Sequence, residues 1–125
     1  MKWNLDSDRP IFSQIIETIQ KGIVSGALKP GEKLPSVRSL ASEASVNPNT
    51  VQKAFGELER MGLVHSQRTS GKFITEDEKM IEETKKNMAH NIITTFLRHM
   101  EQLGFTKDEA LTLTKKMSEE GQDDQ

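Results

Sequence analysis

Two amphipathic helical patterns stand only three residues apart between Val37 and Met61, and this spacing constrains the chain more than any other feature. In the first pattern Val37, Leu40, Ala41 and Ala44 share one face; in the second, Val51, Ala54, Phe55, Leu58 and Met61 do. A connection as short as Ser45-Val46-Asn47 keeps the two helices side by side, with Val46 expected to tuck back into their common core. The boundaries carry their own chemistry. Ser36 suits the cap of the first helix, Asn47 caps the second with Pro48 at its first position, and Gly62 stops it.

The flanking segments complete a unit over residues 1–75. Phe12, Ile15, Ile16, Ile19 and Ile23 recur at helical spacing, so a helix is expected over 10–25, ended by Gly26. SGALKPGEKLPS then reads as a loop. Beyond Gly62, residues 63–67 and 72–75 read as short strands joined by the polar turn Arg68-Thr69-Ser70-Gly71. Helix, helix, turn, helix and hairpin is the order of a winged helix-turn-helix. The expected fold class is therefore mainly α with a small β-hairpin.

Residues 76–125 read as a second, helical region. Thr75-x-x-Glu78 matches a capping box opening a long helix to about Leu103, and Thr106-x-x-Glu109 a second one opening a final helix. The long helix carries Met88, Ile92, Ile93, Phe96, Leu97 and Met100. Two helices cannot bury so wide an apolar face against each other alone, and an exposed patch of that kind marks an interface. Those six residues are the expected homodimer contacts, with a frayed tail at GQDDQ.

Composition excludes several function classes. With no cysteine among 125 residues, disulfide frameworks and thiolate metal sites are out. Apolar runs fall far short of the ~20 residues that span a bilayer, and MKWNLDSDRP lacks the apolar core of a signal peptide. No membrane partner and a cytoplasmic location are expected. Catalysis is unsupported: there is no glycine-rich phosphate loop, His65 stands alone, and His90 and His99 lie nine residues apart on one helix. Neither a cofactor nor a metal is indicated. Net charge is −2 overall, yet residues 1–75 hold ten Lys/Arg against seven Asp/Glu, and residues 76–125 hold seven against twelve. Only the first region is suited to face a polyanion.

Double-stranded DNA is the partner that the helix starting at Pro48 best fits. Helix N-termini offer backbone N–H groups and partial positive charge to phosphates. A recognition helix enters the major groove by its first residues, where Asn and Gln pair with adenine and Lys meets guanine or phosphate. Asn49, Thr50, Gln52 and Lys53 lie off the apolar stripe and are the expected readers. Arg38 opens the helix that would cross the backbone, and Arg68, Ser70, Gly71 and Lys72 belong to the wing. The alternative is a winged helix that binds protein as a scaffold module, against which Lys53, Arg68 and Lys72 argue.

Residues 34–64, LPSVRSLASEASVNPNTVQKAFGELERMGLV, resemble the DNA-binding domain of the GntR family of bacterial transcription regulators. So do P-I-F-x-Q-I in the first helix and G-x-L-x-P-G-E-K-L-P-S before Val37. The resemblance spans roughly residues 9–75 and implies that Arg38, Asn49, Thr50, Gln52 and Gly71 contact DNA, with Ser36 a further candidate. The wing departs from the family pattern, which often has Gly-x-Gly where this chain has Thr69-Ser70-Gly71. The short helical C-terminal region is similar to that of the YtrA-type subfamily. That similarity implies that the region serves dimerisation and that the regulated genes are often those of ABC transporters. The function expected of the whole chain is a dimeric repressor on a near-palindromic operator. No residue identifies an effector.

Overall fold

The computed structural model describes residues 3–68 and 71–123. Its elements are α1 (Ile11–Ser25), α2 (Val37–Ala44), α3 (Pro48–Arg60), β1 (Val64–Gln67), β2 (Gly71–Ile74), α4 (Glu78–Gln102) and α5 (Lys107–Asp123). The chain divides into two compact units, Met1–Lys85 and Lys86–Gln125.

In the first unit, α1 packs on α3, and α3 on α2 and β1. The core holds Ile15, Ile19 and Ile23 of α1, Leu40 of α2, and Val51, Phe55 and Leu58 of α3, closed by Leu63, Val64 and Ile74. These are the apolar stripes of the sequence, and Val46 packs against them as its place in the three-residue turn requires. That turn bends because Ser45 adopts left-handed backbone, φ 58°, a conformation costing a non-glycine residue roughly 1–2 kcal/mol. The bend leaves the Val46 N–H donating to Ala41 O at 3.0 Å, which closes the C-terminal end of α2.

One buried polar residue secures the N-terminal arm. Gln14 is buried, and its amide donates to Asp6 O (2.6 Å) and Arg9 O (2.9 Å) while accepting from Asp6 N–H (2.6 Å). Three bonds to main chain satisfy a group that burial would otherwise penalise, and they fix residues 6–9 on α1.

Two expectations change in the connecting segments. The stretch before α2 is not only a loop: Lys33 bridges Phe73, Leu34 N–H donates to Lys72 O and Ile74 N–H to Glu32 O, both at 2.8 Å. The free edge of β2 is thereby paired, which is how a two-stranded hairpin gains support. The capping box expected at Thr75 does not form either. Thr75 Oγ1 accepts from Asp77 N–H, and Asp77 Oδ1 accepts from Met80 N–H (both 3.1 Å), so α4 is capped by Asp77. Asp is as good a cap as Thr, and this choice lets Thr75 stay buried at the end of the sheet. The first turns of α4 belong to the first unit, because Met80 and Ile81 pack on its core. Gly62 permits this twice over: its φ is 82°, and a Cβ there would lie 2.9 Å from Met80 Sδ.

In the second unit, the capping box at the start of α5 is present. Thr106 N–H donates to Glu109 Oε1 (2.9 Å) and Glu109 N–H to Thr106 Oγ1 (3.1 Å), which holds the Glu109 carboxyl below its ordinary range. Ala110 is buried, but α4 buries no residue along its length. Among the described residues, no helix is long and apolar enough to cross a membrane.

Candidate nucleic-acid interface

The opening turn of α3 is shaped by Asn47. Its Oδ1 accepts from Asn49 N–H at 2.8 Å, and its carbonyl accepts from Thr50 N–H (3.0 Å) and Val51 N–H (3.3 Å). Pro48 has no N–H. Every backbone donor of this turn is therefore engaged or missing, which corrects the expectation that α3 offers free N–H groups to phosphate. What it does offer is side chains. Asn49, Gln52 and Lys53 are exposed and Thr50 is half-buried. Asn49, Gln52, Lys53 and Gly56 stand at i, i+3, i+4 and i+7 and so form one outward face. A Cβ on Gly56 would meet nothing, so that face is bare backbone one turn beyond Lys53.

Free donors appear instead at the start of α2. Ser36 caps it, accepting from Ser39 N–H at 3.0 Å, and Leu40 N–H reaches Ser36 O at 2.9 Å. The N–H groups of Val37 and Arg38 have no acceptor among the described residues. An exposed Arg38 beside two open amides and the positive end of a helix is an arrangement for a phosphate oxygen. Among the described residues, none forms an ion pair with Arg38, Lys53 or Arg68.

The wing stands across a groove from α2; Leu34, Ser36, Ser39, Phe55, Gly71 and Lys72 line it. Gly71 has φ 99°, and a Cβ there would lie 3.3 Å from Lys33 Cε, so glycine at this outermost pair of the hairpin permits the left-handed backbone and leaves room for the Lys33 side chain. Lys33 itself is exposed and was not among the expected contacts, because only its pairing with Phe73 places it at the wing. Arg68 is exposed; Ser70 lies outside the described residues.

Lys72 differs from the other basic residues. Its Nζ donates to Glu59 Oε1 and to Ser66 Oγ, both at 2.7 Å, and Ser66 Oγ donates to Glu59 Oε1 at 2.8 Å. These bonds hold the Glu59 carboxyl below its ordinary range. Strand parity explains the placement. In the register Val64↔Ile74 and Ser66↔Lys72, alternate pairs share a face, so Lys72 points to the side on which Val64 and Ile74 are buried. His65 and Phe73 take the other side, stacked with centroids 6.1 Å apart.

In the second unit, Ile92, Ile93 and Phe96 are exposed, Ile92 by 66%, while Met88, Leu97 and Met100 are half-buried. Leu103, Leu111 and Met117 add exposed apolar surface. Among the described residues, no cluster of His, Asp or Glu could hold a metal.

Comparison with known proteins identifies this arrangement. The family model described as bacterial regulatory proteins, gntR family, matches residues 12–74. The HTH-type transcriptional regulator YhcF of Bacillus subtilis is 40% identical over 115 residues, 92% of this chain and 95% of that protein. The HTH-type transcriptional repressor YtrA of the same organism is 48% identical over 73 residues, 58% of this chain and 56% of the repressor. Among solved structures, a GntR family transcriptional regulator from Listeria monocytogenes superposes with TM-score 0.83 at 38% identity, covering 90% of this chain and 98% of that one. The DNA-binding domain of AraR in complex with operator ORE1 has TM-score 0.51 at 30% identity, covering 60% of this chain and 94% of that one. The chain belongs to the gntR family of bacterial regulatory proteins and is a DNA-binding transcriptional regulator of winged-helix fold, not an enzyme.

Proposed function

We propose that the protein is a cytoplasmic repressor that binds a near-palindromic operator as a homodimer, one α3 helix per half-site. The observation that carries the DNA contacts is the set of exposed or half-buried polar and basic side chains on three neighbouring elements that form no ion pair among the described residues. Asn49, Thr50, Gln52 and Lys53 of α3 read base edges; Ser36, Arg38 and the open amides of α2 hold phosphate; Arg68 and Gly71 approach from the wing. Exposed apolar residues of the second unit support the dimer, and a two-fold protein matches a two-fold operator. Repression is supported by the name of the related YtrA. An ABC-transporter operon is the target that similarity to the YtrA-type subfamily suggests.

The direct test starts with a duplex selected from random DNA by the wild-type protein. Arg38→Ala or Asn49→Ala should weaken binding to that duplex by ~1–3 kcal/mol, about fivefold to 150-fold. Arg68→Ala should act alike on all sequences and lower the salt slope by close to one. Unchanged affinity in both single variants at α2 and α3 would exclude these contacts. Locating the selected sequence upstream of transporter genes, or elsewhere, decides the target.

A further inference from the structure

The Glu59 carboxylate sits on the last turn of the recognition helix, where it opposes a polyanionic partner, and the interface above gives it no role. Its surroundings do. Lys72 of β2 and Ser66 of β1 are direct cross-strand partners, and both converge on Glu59 Oε1 within 2.8 Å. This three-way junction lies beyond the last buried pair of the hairpin, Val64 and Ile74. Farther out there is only the Gln67↔Gly71 pair and the turn. Backbone bonds to Glu32 and Leu34 hold the other edge of β2, and among the described residues the junction's hydrogen bonds tie the outer hairpin to α3.

We infer that Glu59 is a positioning residue for DNA binding: through Lys72 and Ser66 it sets the wing at a fixed orientation to the recognition helix. Lys72 is then a strut whose charge is spent within the protein rather than on a phosphate. The inference rests on the wing contacting DNA, as proposed above. A wing held in place before binding loses less freedom on docking, so its contacts yield more affinity.

The sign of one effect separates this role from simple electrostatics. Removing a negative charge near DNA should tighten binding by Coulomb's law; removing the strut should weaken it. Affinity for the selected duplex is measured by fluorescence anisotropy for wild type, Glu59→Ala, Lys72→Met and the double variant, over a range of salt. Both single variants are expected to bind about twofold to fivefold more weakly, as for a partly exposed ion pair, and the double variant no more weakly than either. The salt slope of Lys72→Met should match wild type, and the reversed pair Glu59→Lys with Lys72→Glu should regain most of the affinity. Thermal melts confirm that each variant is folded at the assay temperature.

Binding by Glu59→Ala equal to or tighter than wild type would overturn the inference. So would additive losses in the double variant, or a slope lower by about 0.9 in Lys72→Met, the signature of a lost phosphate contact. The wing contact is tested on Arg68 and the rest of the interface on Arg38 and Asn49, none of which touches the junction, so failure of one claim is distinguishable from failure of the other.

Discussion

Phe55→Ala is expected to destabilise the first unit by ~3–5 kcal/mol, the range for emptying a fully buried aromatic site. Phe55 is 1% exposed and heads the largest fully buried side chains of the core. It stands on the inner face of α3, one turn from Val51, and borders the groove that separates α2 from the wing. Emptying that position removes contacts at once from α3 and from the hairpin side, and the surrounding helices cannot collapse without moving the short turn at Ser45. For a domain of this size each kcal/mol shifts Tm by roughly 4–8 °C. Calorimetry should therefore show Tm lowered by at least about 12 °C. A loss under about 1 kcal/mol would mean that the core does not close around this ring.

Phe96→Asp should convert the proposed homodimer into a monomer. In the second unit α4 buries nothing, and Phe96 shares its exposed apolar surface with Ile92 and Ile93. An apolar stripe of this kind stabilises the chain only when a second surface covers it. A carboxylate placed in the middle of that contact would lose its hydration without gaining a partner, which costs several kcal/mol. Light scattering should give a dimer for wild type at micromolar concentration and a monomer for the variant. Operator affinity should fall with it by on the order of 10²–10⁴, the advantage of linking two half-site contacts. A wild-type monomer, or a dimeric variant with full affinity, would remove the proposed assembly.

Much of the first unit was legible because its signals are long and redundant. Three helical stripes, a three-residue turn, and Asn47-Pro48 at a helix start agree with one another, and the packing of Ile15, Leu40, Val51 and Phe55 follows from them. Shorter elements carry less information. A four-residue strand has too few positions to show which side chains face inward, so Lys72 read as a surface cation although its parity with Ile74 turns it toward Glu59, thirteen residues back in sequence. The bridge from Lys33 to Phe73 and the left-handed Ser45 left no trace either, since both answer to tertiary contacts rather than to local propensity. At the start of α4, Thr75 and Asp77 were both competent caps, and burial of Thr75 decided between them. For the interface, the sequence pointed to the outward residues of α3, but only hydrogen bonds could show that its backbone donors are all engaged and that α2 carries the open ones.

The central claim is that side chains at the starts of α2 and α3 read a DNA sequence. It is tested most directly by replacing Arg38, Asn49 and Thr50 together with alanine and titrating the variant against the selected duplex and a scrambled one. Wild type should prefer the selected duplex by at least about 10³, the lower range for specific regulators. The folded triple variant should bind both duplexes alike, retaining only the salt-dependent attraction to phosphate. A triple variant that still discriminates as wild type does would contradict the account.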